Sequence, residues 1–290
     1  MTTIGDSIAG AALVLAKAGI EDPRHDARLL VGLALKMTPT QVFNATNDPL
    51  PELAKDNILR IVSRRAKGEP VAHITGEREF WSLPFEVSSA TLIPRPDSET
   101  LIELILDQHA DRPPRRILDL GTGSGCLLLS LLSEYKSATG VGIDMSPDAL
   151  NVAIRNAKRI GLESRSRFAV GSWMDGLSET FDLVISNPPY IPTDDICDLD
   201  SDVRAFEPIS ALDGGKDGLD MYRAIFAGLD HVLAPDGRAV VEIGISQRNG
   251  VSQIASDFGF GLVQTRDDIG GITRALMFDK KSVGIARGKR

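Results

Sequence analysis

Phe181-Asp182-Leu183-Val184-Ile185-Ser186-Asn187-Pro188-Pro189-Tyr190 opens as a strand and stops abruptly. Leu183, Val184 and Ile185 form a short apolar run with β-branched members, the pattern of a buried strand. Proline has no N–H for a ladder and confines the residue before it to extended backbone. A buried strand therefore leaves its sheet at Asn187-Pro188-Pro189. Its last polar side chain sits in a stiff loop, with an aromatic ring at Tyr190. In open α/β folds, ligands bind at this carboxyl edge of the strands.

Upstream, Arg116-Ile117-Leu118-Asp119-Leu120 meets Gly121-Thr122-Gly123-Ser124-Gly125, and Cys126-Leu127-Leu128-Leu129 continues as a helix pattern. Glycines take positive φ at no steric cost and let the backbone approach a ligand. The next strand, Val141-Gly142-Ile143, ends on Asp144. That distance suits a carboxylate accepting from ribose hydroxyls. A nicotinamide site is the other reading of Gly-x-Gly, but Gly125 comes one residue early for the dinucleotide fingerprint. Two strand–turn units and a strand ending in Asn-Pro-Pro-Tyr describe a nucleoside cofactor beside a reactive amino group.

Working outward, strand and helix patterns alternate: strands near 116–120, 139–143, 167–170, 181–186 and 237–243, with helices from 125, 147 and 217. Alternation of this kind means a parallel sheet with helices on both faces. Residues 261–264 and 274–278 read as a closing hairpin. Residues 3 to about 70 read as short helices in series, a small bundle. Asp22-Pro23 and Thr38-Pro39 are helix starts, and Leu13 and Leu53 are placed on apolar faces. Val71-Ala72-His73-Ile74 and Leu83-Pro84-Phe85-Glu86-Val87 look like two strands around a turn. Arg95 lies between Pro94 and Pro96, in a stiff extended segment. The expected division is 1–72 helical docking domain, 73–96 β-hairpin connector and 97–290 catalytic domain.

The totals exclude several classes. The 290 residues, 42% hydrophobic and 25% charged, are those of an ordinary globular chain. No run is apolar for long enough to span a bilayer, and Met1 to Asp6 carry no basic segment of a signal peptide. Cys126 and Cys197 fit a reduced, cytoplasmic setting. His25, His73, His109 and His231 lack ligand spacing, so no metal is expected. A net charge of −8 argues against direct nucleic-acid binding. The basic tail, Lys280-Lys281 and Arg287 to Arg290, reads as a solvated end.

Taken together, Gly121-x-Gly123-x-Gly125, Asp144 and Asn187-Pro188-Pro189-Tyr190 resemble S-adenosyl-L-methionine-dependent methyltransferases acting on a planar NH2 group. Other segments narrow this. Arg64-Arg65-x-x-Gly68-Glu69-Pro70, Ile74-x-Gly76-x-x-Glu79-Phe80 and Leu92-Ile93-Pro94-Arg95-Pro96 resemble the release factor glutamine methyltransferase family. So do Glu207-Pro208-x-x-Ala211-Leu212-x-Gly214-Gly215-x-Asp217-Gly218-Leu219 with Tyr222, Glu242-Ile243-Gly244-x-x-Gln247, and Asp268-x-x-Gly271-x-x-Arg274. Three positions depart from that family's pattern: Ser172 where an acid is common, Ser98 where threonine is usual, and His73 where tyrosine is frequent.

The resemblance implies a Rossmann-like methyltransferase domain with a small N-terminal helical bundle joined by a β-hairpin. It implies the substrate too: the glutamine of the Gly-Gly-Gln motif in class I peptide chain release factors. Asn187 and the Pro188 carbonyl would hold the amide N–H bonds, with Pro189 and Tyr190 shaping the pocket. Gly121, Thr122, Gly123, Ser124, Gly125, Asp144, Trp173 and Asn187 would meet the cofactor. Asp119 is placed either under the glycine turn or on the cofactor's amino group; Arg95 and Glu207 are placed at the substrate entrance. A monomer is expected. The alternative is an adenine-N6 methyltransferase on DNA or RNA, because an extruded base offers the same NH2 geometry.

Overall fold

The computed structural model describes residues 2–281. The chain divides into two compact units: residues up to Glu77 with Asp200–Phe206, and Arg78–Leu199 with Glu207 onward. Arg287 to Arg290 of the basic tail lie outside the described residues.

The first unit is helical. It comprises α1 (Ile4–Lys17), α2 (Pro23–Leu35), α3 (Pro39–Asn44), α4 (Lys55–Ala66) and α5 (Val71–Thr75). Local chemistry sets the starts. Thr3 and Asp6 form a reciprocal capping box, Asp22 accepts from the His25 N–H ahead of Pro23, and Thr38 caps α3 with Gln41 answering. These side chains satisfy N–H groups that a helix start leaves orphaned. Leu15, Leu30 and Val31 are fully buried in a core of this unit's own, each worth about 1.5–3 kcal/mol of transfer free energy. Two expected apolar-face residues stay out: Leu13 and Leu53 are exposed. Val71–Thr75 is a helical turn rather than the expected strand. Pro70 precedes it, and Gly76 ends it in left-handed backbone.

The second unit begins within the hairpin of β1 (Glu77–Phe80) and β2 (Leu83–Glu86), at Arg78, and continues through α6 (Glu99–Gln108), β3 (Arg116–Leu120), α7 (Cys126–Glu134), β4 (Thr139–Asp144), α8 (Pro147–Ile160), β5 (Ser166–Val170) and β6 (Phe181–Ser186). After α9 (Ser201–Phe206), which belongs to the first unit, come α10 (Asp220–Val232), β7 (Leu233–Glu242), α11 (Arg248–Asp257), β8 (Phe260–Asp267) and β9 (Thr273–Lys280). The strands form a seven-stranded sheet in the order β5-β4-β3-β6-β7-β9-β8. β3 to β7 are parallel, and β9 runs antiparallel between β7 and β8. The expected closing hairpin is present, longer than the sequence pattern suggests.

Alternation along the strands builds two cores. Leu118, Leu120 and Val184 pack with Tyr222, Phe226 and Leu229 of α10. Ile117, Leu183 and Ile185 pack on the other face with helices α6 and α7 and with Phe80 and Phe85 of the hairpin. β3 pairs with both β4 and β6, so the chain order reverses beside it. The carboxyl ends of such strands flank the crevice in which doubly wound sheets bind ligands.

Candidate active site

The glycine turn follows β3. Gly121, Gly123 and Gly125 all take positive φ (70°, 54° and 80°), a conformation open to glycine and costly for side chains. The Gly121 and Thr122 N–H groups both donate to the Ile143 carbonyl at 2.9 Å, which ties the turn to β4. An added Cβ at Gly121 or Gly123 would meet no protein atom within 4 Å. Both line a cavity, so the space beside them is the cavity itself. Asp119, fully buried below, accepts from the Thr122 hydroxyl at 2.6 Å and does not line the cavity. The geometry therefore favours its role under the turn. Burial pushes its carboxyl up to about 7.

Asp144 ends β4 and lines the same cavity. Its Oδ2 accepts from Gly123 N–H and its Oδ1 from Ser146 N–H, both at 2.9 Å. Each oxygen keeps a further acceptor site for a ligand hydroxyl. Ser146 in turn caps α8. Trp173, half-buried with φ +51°, lines the cavity beside Gly171. Ser172 between them is exposed and does not line it.

Asn187 leaves β6 and also lines the cavity. Its Nδ2 donates to Ser98 Oγ at 3.0 Å, and Ser98 Oγ donates to Glu242 Oε2 at 2.5 Å. Among the described residues, no protein donor engages Asn187 Oδ1. The loop is braced from behind. Gln247 Nε2 donates to the Tyr190 carbonyl at 2.8 Å. Gly218 and Gly214 lie so close that a Cβ would stand 2.4 Å from Tyr190 O and 2.7 Å from Tyr190 Cα.

The cavity thus gathers Gly121, Thr122, Gly123, Ser124, Asp144, Trp173, Asn187 and Pro189. Gly125, Pro188 and Tyr190 do not line it. Gly125 begins α7. The Tyr190 ring packs against the core, its phenol 3.5 Å from Glu242 Oε1. Burial, first, and the neighbouring Glu242 hold that phenol protonated well above the usual range. Arg95 lines the cavity and pairs with Glu207 at 2.5 Å. Glu207, its side chain 1% exposed, also accepts from Ile93 N–H at 3.2 Å. Sequence reasoning assigned no role to Ser98, Glu242 or Gln247. Glu242 carried one signal: like Asp144, it is an acid closing an apolar strand.

These residues fit S-adenosyl-L-methionine. Asp144 offers acceptors for ribose hydroxyls, Trp173 an apolar wall for the base, and the glycine turn the open backbone a methionine chain needs. Arg95 is already paired, and the cavity's other polar groups are small. Among the described residues, no cluster of three or more His, Cys, Asp or Glu side chains could hold a metal ion.

Residues 6–76 match the PrmC N-terminal domain, and residues 112–255 match a methyltransferase domain. A release factor glutamine methyltransferase of Rhodospirillum rubrum is 43% identical over 92% of this chain and 82% of its own length. One of Agrobacterium fabrum is 42% identical over 94% of this chain and 98% of its own. One of Salmonella typhimurium is 38% identical over 88% and 91%. Among solved structures, a methyltransferase of Pyrococcus furiosus shares the fold at a TM-score of 0.53 and 18% identity, over 78% of this chain and 99% of that one.

Proposed function

The chain belongs to the release factor glutamine methyltransferase family, and on that premise we propose that it methylates the side-chain amide nitrogen of the glutamine in the Gly-Gly-Gln motif of class I peptide chain release factors. The enzyme depends on S-adenosyl-L-methionine. When bound, that cofactor supplies a methyl carbon on a sulfonium sulfur, open to in-line displacement.

The observation that carries the reading is the presence of Asn187 in one cavity with Gly121, Gly123 and Asp144. A carboxamide nitrogen shares its lone pair with its carbonyl and is a poor nucleophile. The protein's task is position and electrostatics. Asn187 Oδ1, on the cavity wall, takes one N–H bond of the substrate amide and aims its nitrogen across the cavity; the Pro188 carbonyl, outside the cavity lining, is assigned the other N–H bond from the family resemblance alone. As positive charge grows on that nitrogen, both acceptors stabilise it. An N-protonated amide is a strong acid, so no dedicated base is demanded of the chain. Arg95, held by Glu207, borders the opening through which a glutamine side chain enters. Tyr190 supports the loop from behind.

Residues 1–72 are assigned to docking the release factor, 73–96 to the connecting hairpin and 97–290 to transfer. We assign the enzyme to the cytoplasm as a monomer. Among the described residues, no helix is long and apolar enough to cross a membrane. Amide rather than adenine methylation is preferred because the likeness to the named relatives spans the helical first unit as well as the second.

The test is mass spectrometry of recombinant release factor incubated with enzyme and cofactor. One added methyl group on the Gly-Gly-Gln glutamine is expected. Methyl incorporation into nucleic acid with none into release factor would refute the reading.

A further inference from the structure

Resting on the amide-transfer reading above, we propose that Ser98 and Glu242 are positioning residues that fix which end of the Asn187 amide faces the substrate. An asparagine presents an oxygen at one corner and an NH2 at the other, and the two have nearly the same shape. Only the oxygen can hold a substrate N–H. With the NH2 turned outward, two donors would face each other and the substrate amide would be repelled. Shape alone does not choose between these states, so a hydrogen-bond partner with fixed polarity must.

Ser98 has one O–H to give. It lies 2.5 Å from Glu242 Oε2, and both residues are buried at 3% and 1% exposure. An ionised carboxylate only accepts, so the Ser98 hydroxyl must donate to it. That leaves the hydroxyl oxygen only as an acceptor on its other side, 3.0 Å from Asn187 Nδ2. The amide therefore turns its NH2 inward and its oxygen to the cavity. The polarity runs from a carboxylate on β7, through a hydroxyl at the start of α6, to the loop after β6. These are three segments that meet only in the folded chain.

The device depends on the charge of Glu242. The groups facing it are the Ser98 hydroxyl, the Tyr190 phenol at 3.5 Å, Arg274 of β9, Asp97, and Tyr222 of α10. Tyr222 donates to the Glu242 backbone carbonyl at 2.8 Å. Arg274 is shared with Asp97 and Asp268. Burial, the leading cause, raises the carboxyl to about 7. A protonated Glu242 can donate to Ser98, freeing the hydroxyl to donate to Asn187. The amide is then no longer forced to one orientation. Ionised Glu242 sets the productive state, and acid releases it.

Two arms test this. In the first, kcat and cofactor Kd are measured with release factor as substrate. Ser98→Ala should lower kcat by at least about two-fold, the share lost when neither orientation of the amide is favoured, with cofactor Kd unchanged, and Ser98→Thr should restore it. The wild-type kcat should fall on the acid side of neutrality, and Glu242→Gln should flatten that limb. In the second arm, the Asn187 side-chain NH2 resonance is followed by 15N NMR without substrate. It should shift in Ser98→Ala and should titrate with Glu242 in the wild type but not in Glu242→Gln. Full kcat in Ser98→Ala, an acid limb persisting in Glu242→Gln, or an Asn187 resonance indifferent to both changes would overturn the proposal. The second arm needs no substrate, so a wild-type enzyme that left release factor unmethylated would sink the glutamine reading while this arm still decided the relay.

Discussion

Truncating Asn187 to alanine should separate transfer from cofactor binding. The change removes one of two acceptors from a nitrogen that gains charge as the bond forms. A hydrogen bond to a charged group is worth about 1.5–3 kcal/mol. It also leaves the buried Ser98 hydroxyl without its amide partner, a cost to folding stability rather than to the barrier. The barrier loss of about 1.5–3 kcal/mol corresponds to a fall in kcat of roughly 10- to 200-fold. The groups placed to hold the cofactor, Asn187 apart, lie on other segments: the glycine turn, Asp144 and Trp173. Cofactor Kd should therefore stay near the wild-type value. The assay pairs single-turnover transfer of labelled methyl groups to release factor with calorimetric titration of the cofactor. A kcat loss of less than about ten-fold, or a cofactor Kd that weakens in step with kcat, would refute the role given to Asn187.

Asp144→Ala should do the converse, raising cofactor Kd about 10- to 100-fold by calorimetry while kcat at saturating cofactor changes little. Gly218→Ala places a Cβ 2.4 Å from Tyr190 O on backbone of φ +72°; it should cost about 1–3 kcal/mol in denaturant unfolding and lower kcat as the loop shifts. Arg65→Ala breaks a pair whose side chains are only 14% and 12% exposed. It should destabilise the helical unit by about 2–3 kcal/mol in urea without altering cofactor Kd. The buried Glu242 carboxyl takes up a proton more readily folded than unfolded. Its contribution to stability is thus lost as pH rises from about 4.5 towards 7. The melting temperature of Glu242→Gln relative to wild type should rise over that interval, and a difference independent of pH would contradict it.

The sheet was legible because its signals are local. A run such as Leu183-Val184-Ile185 and a turn such as Gly121-Thr122-Gly123 carry their meaning within a few residues. Helix starts at Asp22-Pro23 and Thr38-Pro39 were legible for the same reason. Val71–Thr75 was misread because a β-branched opening outweighed Pro70 and Gly76, the punctuation of a short helical turn. Leu53 looked like a core residue by type, yet it is exposed at 98% in a 3₁₀ turn ahead of α4. Ser98 and Glu242 stand 144 residues apart in the chain, and no periodicity links them. Tyr190 was placed in the pocket from its nearness to Asn187. Its phenol meets Glu242, and its backbone is fixed by the close approach of Gly214 and Gly218, which only the fold creates.

The two backbone N–H groups held by Asp144, one from the loop after β3 and one from the loop after β4, are joined through a carboxylate of the chain itself. Ordering these loops is thus an expense of folding, not of complex formation. The cleft meets its guest preorganised, and its grip comes from contact made rather than from motion stilled.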